Sequence, residues 1–436
     1  MENNREMPVL LLTGYLGSGK TTLVNRMLNN RRGLRFAVIV NDIGEVNIDA
    51  DLIARDGIVG SADDSLVALQ NGCICCTLKM DLVEQIVDLM EGDRFDYIVI
   101  EASGICEPEP IAQTICSMKR MGPVVNRFGT PRLDCIVTVV DALRLQSEFK
   151  SGRSLTSGNL GEEDIENLII QQIEFCNIVV LNKISEVTEK DAAVVRATVR
   201  ELQPSARILE TDYADIDFDL ILNTRMFDFE KVATGARWIK EIEKPVAEIE
   251  REQQQLGCTD HHHEHDHEHD HDHDHDHDEC GHHHHDHHDH ECDHGPGCHC
   301  HHHHHHHGEG EAEEYGIGTF VYYRRRPFSP ALFDYFVGKR WPAEVIRAKG
   351  ICYFNDEPEI CYLFEQAGVQ KKLSNCGQWY ATASPEEIEQ LKATEPGLLR
   401  DWDPEYGDRM QKIVFIGRGM DREAITRALD DCLTDI

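Results

Sequence analysis

Positive charge is scarce in this chain. Its 436 residues carry 43 Lys+Arg against 79 Asp+Glu, a formal net charge of −36. Phosphate backbones recruit Lys/Arg surfaces, so the balance excludes a general nucleic-acid binder. It equally disfavours adhesion to an anionic membrane surface. Long apolar runs are also lacking: none approaches the ~20 residues that a membrane span needs. The stretch Met1 to Met7 is short and polar, so no signal peptide is expected and a cytoplasmic location follows. Histidine is missing from most of the chain, since all 26 lie between His261 and His307. A secretion signal to accompany disulfides is lacking too. The 16 cysteines include the clusters Cys73, Cys75, Cys76 and Cys298, Cys300, which read as thiols and metal ligands. Cys352, Cys361, Cys376 and Cys432 are isolated and read as packed apolar residues.

At ~100–200 residues per domain the length suggests two or three domains. Residues 1–226 alternate apolar strand-like runs with amphipathic stretches. The runs are Pro8–Thr13, Phe36–Val40, Tyr97–Ile100, Cys135–Val140 and Ile178–Leu181. Near-continuous β-branched runs indicate strands buried on both faces. With helices expected at Thr21–Asn30 and Met80–Met90, the reading is α/β: a parallel sheet with helices on both faces. Residues 227–314 form a linker, with a charged helix expected from Trp238 to Gln255 and then the His/Asp/Cys tract 261–307. That tract cannot bury a core, and disorder without metal is expected. Residues 315–436 read as a small α+β domain. Strands are expected at Gly316–Tyr323, Ile351–Phe354 and Ile413–Ile416, and helices at Pro330–Phe336 and Arg422–Leu433.

Gly14-Tyr15-Leu16-Gly17-Ser18-Gly19-Lys20-Thr21 fits G-x-x-x-x-G-K-[ST], and Thr22 follows. The glycines permit a tight loop whose backbone N–H groups face phosphates at a helix N-terminus. Lys20 reaches the β/γ-phosphates and the Thr21 hydroxyl binds Mg²⁺. The run Phe95–Glu101 is a strand ending in an acid, placed where such enzymes hold Mg²⁺ or orient water. Gly104 lets the backbone approach a γ-phosphate. Asn182-Lys183-Ile184-Ser185 resembles the guanine motif N-K-x-D, with Ser185 in place of the Asp. Asn182 and Lys183 serve the base; guanine discrimination is either weakened or carried by Glu186.

Asn71-Gly72-Cys73-Ile74-Cys75-Cys76 offers three thiolates within four residues to a soft or borderline ion such as Zn²⁺. An open fourth position suits transfer. Buried structural thiols and a redox pair are the competing readings. The tract, with His261, His263, His265, Cys298, His299 and Cys300 among its ligands, reads as an auxiliary metal buffer or loading arm. A solvated spacer is the alternative.

Together these motifs resemble the CobW-type family of metal-chaperone GTPases. The resemblance rests on G-Y-L-G-S-G-K-T-T from Gly14, N-D-I-G-E-V-N-I-D from Asn41, N-G-C-I-C-C from Asn71, E-A-S-G from Glu101 and V-V-D-A from Val139. It continues in Arg347-Ala348-Lys349-Gly350 and Gln411–Gly417. It implies a P-loop NTPase domain of the SIMIBI-type GTPase class followed by a small α+β domain. It implies slow GTP hydrolysis coupled to metal delivery, zinc being the commonest assignment beside Co²⁺, Ni²⁺ or Fe²⁺. Carried over by position, Cys73, Cys75 and Cys76 ligate the metal and Glu45 is an accessory ligand. Asp42, where the family often has Glu, joins Lys20 and Glu101 in catalysis. The partner implied is a client metalloprotein; the oligomeric state stays open. A cobalt or iron maturation factor and a non-catalytic metal store are the alternative functions.

Overall fold

The computed structural model describes residues 5–29, 33–40, 66–68, 79–150, 163–257, 315–368, 370–394, 397 and 400–435. Seven strands form the first sheet: β1 (Glu6–Thr13), β2 (Phe36–Val40), β3 (Leu66–Ala68), β4 (Tyr97–Glu101), β5 (Thr130–Asp141), β6 (Ile178–Asn182) and β7 (Arg207–Glu210). Their order is β3-β2-β4-β1-β5-β6-β7 and every pairing is parallel. The sequence reading anticipated five of these strands. β2, β4 and β6 are buried along their whole length, as the continuous apolar runs require.

Alternate side chains divide between two cores. Val9, Leu11, Ile98 and Ile100 face one side. There they meet α2 (Lys79–Met90), α3 (Pro108–Met118), α5 (Glu163–Glu174) and α6 (Glu189–Leu202) through Ile86, Ile115, Ile173 and Val199. Leu10, Leu12, Val99 and Val137 face the other side. They pack on Leu23, Val24 and Met27 of α1 (Lys20–Leu28) and on Ala214, Ile221 and Leu222. α4 (Ala142–Lys150) continues directly from β5.

The expected helix 238–255 is two helices, α8 (Arg237–Ile242) and α9 (Val246–Gly257), after a short α7 (Phe229–Ala233). Pro245 explains the break. It disfavours helical backbone at Lys244 and carries no N–H for the ladder. Its carbonyl instead accepts the Glu248 and Ile249 amides at 3.0 and 3.2 Å, starting the next helix.

The second sheet contains β8 (Ile317–Arg324), β9 (Val345–Cys352), β10 (Ile360–Ala367), β11 (Gln370–Gln378) and β12 (Gln411–Arg418), with α10 (Pro330–Lys339), α11 (Pro385–Thr394) and α12 (Arg422–Asp430). The order is β11-β10-β9-β12-β8, antiparallel throughout. One face is aromatic: Phe320 stacks on Phe415 at 5.1 Å and Phe328 on Phe333 at 4.8 Å. The opposite residues Val321, Tyr323, Val414 and Ile416 join the core of the first sheet, with Trp238 and Ile242 of α8 packed against it. The two sheets therefore share apolar packing. Among the described residues no helix is long and apolar enough to cross a membrane.

Candidate nucleotide site

The register of the parallel sheet gathers the motif residues at one edge. Leu12 pairs with Glu101, Thr13 with Thr138, and Asp141 with Asn182. The chain leaves β1 at Gly14 and turns into α1 over six residues. Gly14, Gly17 and Gly19 have φ of +137, +76 and +111°. Gly19 is required twice over. Its backbone is left-handed, and a Cβ there would stand 2.3 Å from Asn182 Nδ2. The loop closes on itself, the Ser18 amide donating to the Tyr15 carbonyl at 3.2 Å. Lys20, 6% exposed, donates from Nζ to the same carbonyl at 3.4 Å.

Gly19 caps α1 without a side-chain hydrogen bond, and the first turn contains no acid. The helix N-terminus thus presents its amides and its partial positive charge to an anion. Thr21 Oγ1 donates to Glu101 Oε1 at 3.0 Å. Glu101 is 1% exposed at the end of β4, so a hydroxyl and a buried carboxylate meet beside the phosphate loop. Such an all-oxygen donor pair suits a hard divalent cation. Thr22 is exposed in the first turn of α1. A Cβ on Gly104 would lie 2.7 Å from the Leu16 amide, so segment 102–104 lies directly against the loop. The buried Gln172 fixes that segment, donating from Nε2 to the carbonyls of Gly104 and Cys106 at 3.2 and 3.1 Å.

Asn182 braces the site. Its Nδ2 donates to the Ser18 carbonyl at 2.8 Å and its Oδ1 accepts the Ala214 amide at 2.9 Å. Lys183 has a left-handed φ of +60° and pairs with Asp141 at 2.5 Å. Ser185 donates its amide and its hydroxyl to Asp212 Oδ1 at 3.0 and 2.9 Å. The sequence reading did not single out Asp212. Its one signal was an acid in the loop directly after β7, the strand beside β6.

Asp42, Glu45, Cys73, Cys75, Cys76, His261, His263, His265, Cys298, His299 and Cys300 lie outside the described residues. Among the described residues no group of three or more His, Cys, Asp or Glu could hold a metal ion. Of the isolated cysteines, Cys352 and Cys432 are packed in the second domain. Burial pushes the Cys432 thiol up to about 11 and the half-buried Cys361 up to about 12. Cys376 departs from the packed expectation: it is exposed on β11.

Comparison with known proteins places this geometry. Residues 8–210 match the family model described as "CobW/HypB/UreG, nucleotide-binding domain". Residues 317–433 match "Cobalamin synthesis protein cobW C-terminal domain". The zinc-regulated GTPase metalloprotein activator 1 of Dictyostelium discoideum is 32% identical over 98% of this chain and 80% of its own. The zinc chaperone CobW of Pseudomonas aeruginosa is 31% identical over 51% of this chain and 61% of its own. The zinc chaperone YjiA of Escherichia coli is 30% identical over 53% of this chain and 66% of its own. A nucleotide-binding domain and a cobW C-terminal domain in this order, with a relative matched along nearly the whole chain, show that the protein belongs to the CobW family.

Proposed function

We propose that this protein is a GTP-hydrolysing metallochaperone that holds a transition metal, zinc foremost, and hands it to a client metalloprotein in the cytoplasm. The observation that carries the reading is the meeting of Thr21 and Glu101 beside a closed phosphate loop. Lys20 and the α1 amides would bind the β/γ-phosphates. Thr21 and Glu101 would hold Mg²⁺, which neutralises charge between the phosphates when bound. Asp42, in the motif that begins at Asn41, would complete the site.

The cargo site is Cys73, Cys75 and Cys76 with Glu45 as accessory ligand. Its place in the chain supports coupling to the nucleotide. Ala68 ends β3 level with Val40, and Val40 is level with Glu101. The cysteine segment follows β3 in the chain, and β3 ends at the nucleotide edge. Nucleotide state and metal affinity would then be linked reciprocally, and hydrolysis would give transfer its direction. The tract 261–307 would supply metal: at about four ligands per ion, 26 His hold on the order of six ions. Zn²⁺ affinity measured with a GTP analogue and with GDP tests the coupling, and equal affinities would overturn it. Lys20→Ala should abolish turnover while the tract keeps its metal.

A further inference from the structure

We propose that Asp212 supplies the guanine-reading carboxylate that the N-K-x-S sequence lacks, with Ser185 as its co-acceptor. The inference rests on the GTP reading above and specifies how the base is chosen. In N-K-x-D, the fourth residue meets the guanine N1–H and 2-amino group with two proton-free oxygens. Here that residue is Ser185, and the loop after β7 brings a carboxylate to it. The Ser185 amide and hydroxyl both donate to Asp212 Oδ1, at 3.0 and 2.9 Å.

The direction of the second bond decides the chemistry. An ionised carboxylate has no proton to give, so the only hydroxyl proton of Ser185 points at Asp212. Ser185 Oγ is left with lone pairs alone. Asp212 Oδ2 takes no hydrogen bond from any described residue. Ser185 Oγ and Asp212 Oδ2 thus form an adjacent pair of acceptors. Guanine, with N1–H and a 2-amino group, matches that pair. Adenine, with a bare N1 and no 2-amino group, does not. A polar site left unmatched by the wrong base discriminates strongly.

The pair is fixed in place. The Thr211 amide donates to the Leu181 carbonyl at 2.9 Å and the Ile184 amide to the Thr211 carbonyl at 3.2 Å. Asn182 binds Ala214 on one side and the phosphate loop on the other. Arg26 of α1 donates to the Tyr213 carbonyl and pairs with Asp215, both at 2.8 Å. Tyr213 and Ala214 are held at φ of +53 and +54°, a turn that presents the Ala214 amide to Asn182. Glu186, the sequence-level substitute, is exposed, and its side chain makes no hydrogen bond or ion pair among the described residues.

The test is competition by GDP, XDP and ADP for a fluorescent GDP analogue on the full-length protein. Asp212→Asn presents an amide N–H where xanthine carries its 2-oxo group. GDP affinity should fall on the order of 10- to 100-fold, as expected for a lost charged hydrogen bond, and XDP affinity should rise. Glu186→Gln should leave both unchanged. The double variant S185D/D212S moves the carboxylate to the fourth position and should restore GDP preference, which a merely structural loss would not allow. A folded D212N that keeps its GDP affinity and gains none for XDP overturns the inference. A wild-type protein that binds ADP as well as GDP overturns the GTP reading itself, so the two failures are distinguishable.

Discussion

Replacing Arg347 with Met should weaken the union of the two domains more than any exposed substitution. Arg347 lies on β9 of the second sheet and is 2% exposed. Its guanidinium grips Glu174, the last residue of α5 in the first domain, with Nε–Oε1 at 2.9 Å and Nη2–Oε2 at 3.0 Å. Nη1 also donates to the Gln366 carbonyl at 3.3 Å. Arg347→Met leaves the Glu174 carboxylate buried without its cation, a change that costs about 3–5 kcal/mol. Urea unfolding followed by circular dichroism should show a defect of about 3–5 kcal/mol at pH 7. R347M/E174M should recover all but about 1 kcal/mol, the remainder being the lost bond to the Gln366 carbonyl and the lost pairing of Arg347 with Glu365 at 3.8 Å. A pH 7 loss under about 1 kcal/mol, or a double variant no more stable than R347M, would refute the reasoning.

Three further outcomes are expected. Burial pushes the Lys412 ammonium down to about 8, against partial support from Asp401, while its Nζ donates to the Lys244 carbonyl. A base whose folded pKa lies below its unfolded value gains stability as pH rises from about 8 to 10.5, here by up to about 3 kcal/mol. Lys412→Met should remove that rise, so the urea midpoints of variant and wild type must converge between pH 7 and 10; a constant gap contradicts the assignment. Gly19→Ala forces a left-handed residue at about 1–2 kcal/mol and drives a methyl into the Asn182 amide. GDP affinity should fall roughly 5- to 30-fold on that strain alone, and wild-type affinity would be incompatible with the loop described. Removal of residues 261–307 should lower bound zinc by on the order of six ions and leave GTP turnover intact; loss of turnover would mean the domain boundary is misplaced.

The parallel sheet was legible because its central strands are buried on both faces, which forces uninterrupted runs such as Phe36–Val40 and Ile178–Leu181. Edge strands escape that rule. β7 exposes both its ends, β3 is three residues long, and β11 reads Q-K-K-L-S-N-C-G-Q because its outer side pairs with nothing in the sheet. The break at Pro245 was written in the sequence, since a proline cannot continue the hydrogen-bond ladder, yet helical periodicity on both sides masks it. The phosphate loop and Glu101 were legible because strand–turn–helix geometry ties each residue type to its spacing. The partnership of Ser185 with Asp212 was not. It spans 27 positions and depends on β7 lying beside β6, which local pattern does not encode.

Helix α5 gives the two domains a common mechanical part. Gln172 reaches inward to the carbonyls of Gly104 and Cys106, and its own carbonyl accepts the Thr138 hydroxyl at 2.8 Å. Thr138 in turn bonds Thr13, the residue before the phosphate loop, at 2.8 Å. Glu174, two positions on, reaches outward to Arg347. Residues at i and i+2 do not share a helix face, so one turn of α5 touches the nucleotide edge with one side and the second sheet with the other. Close-packed interiors displace as units rather than deform continuously. A shift of segment 104–106 when a γ-phosphate arrives would therefore reach the second domain as a movement of α5 against Arg347. The buried pair has a double consequence. It joins the domains, and it ties the helix that touches the nucleotide edge to the second sheet. Two positions of α5, one with a GTP analogue and one with GDP, are the outcome that demonstrates this coupling.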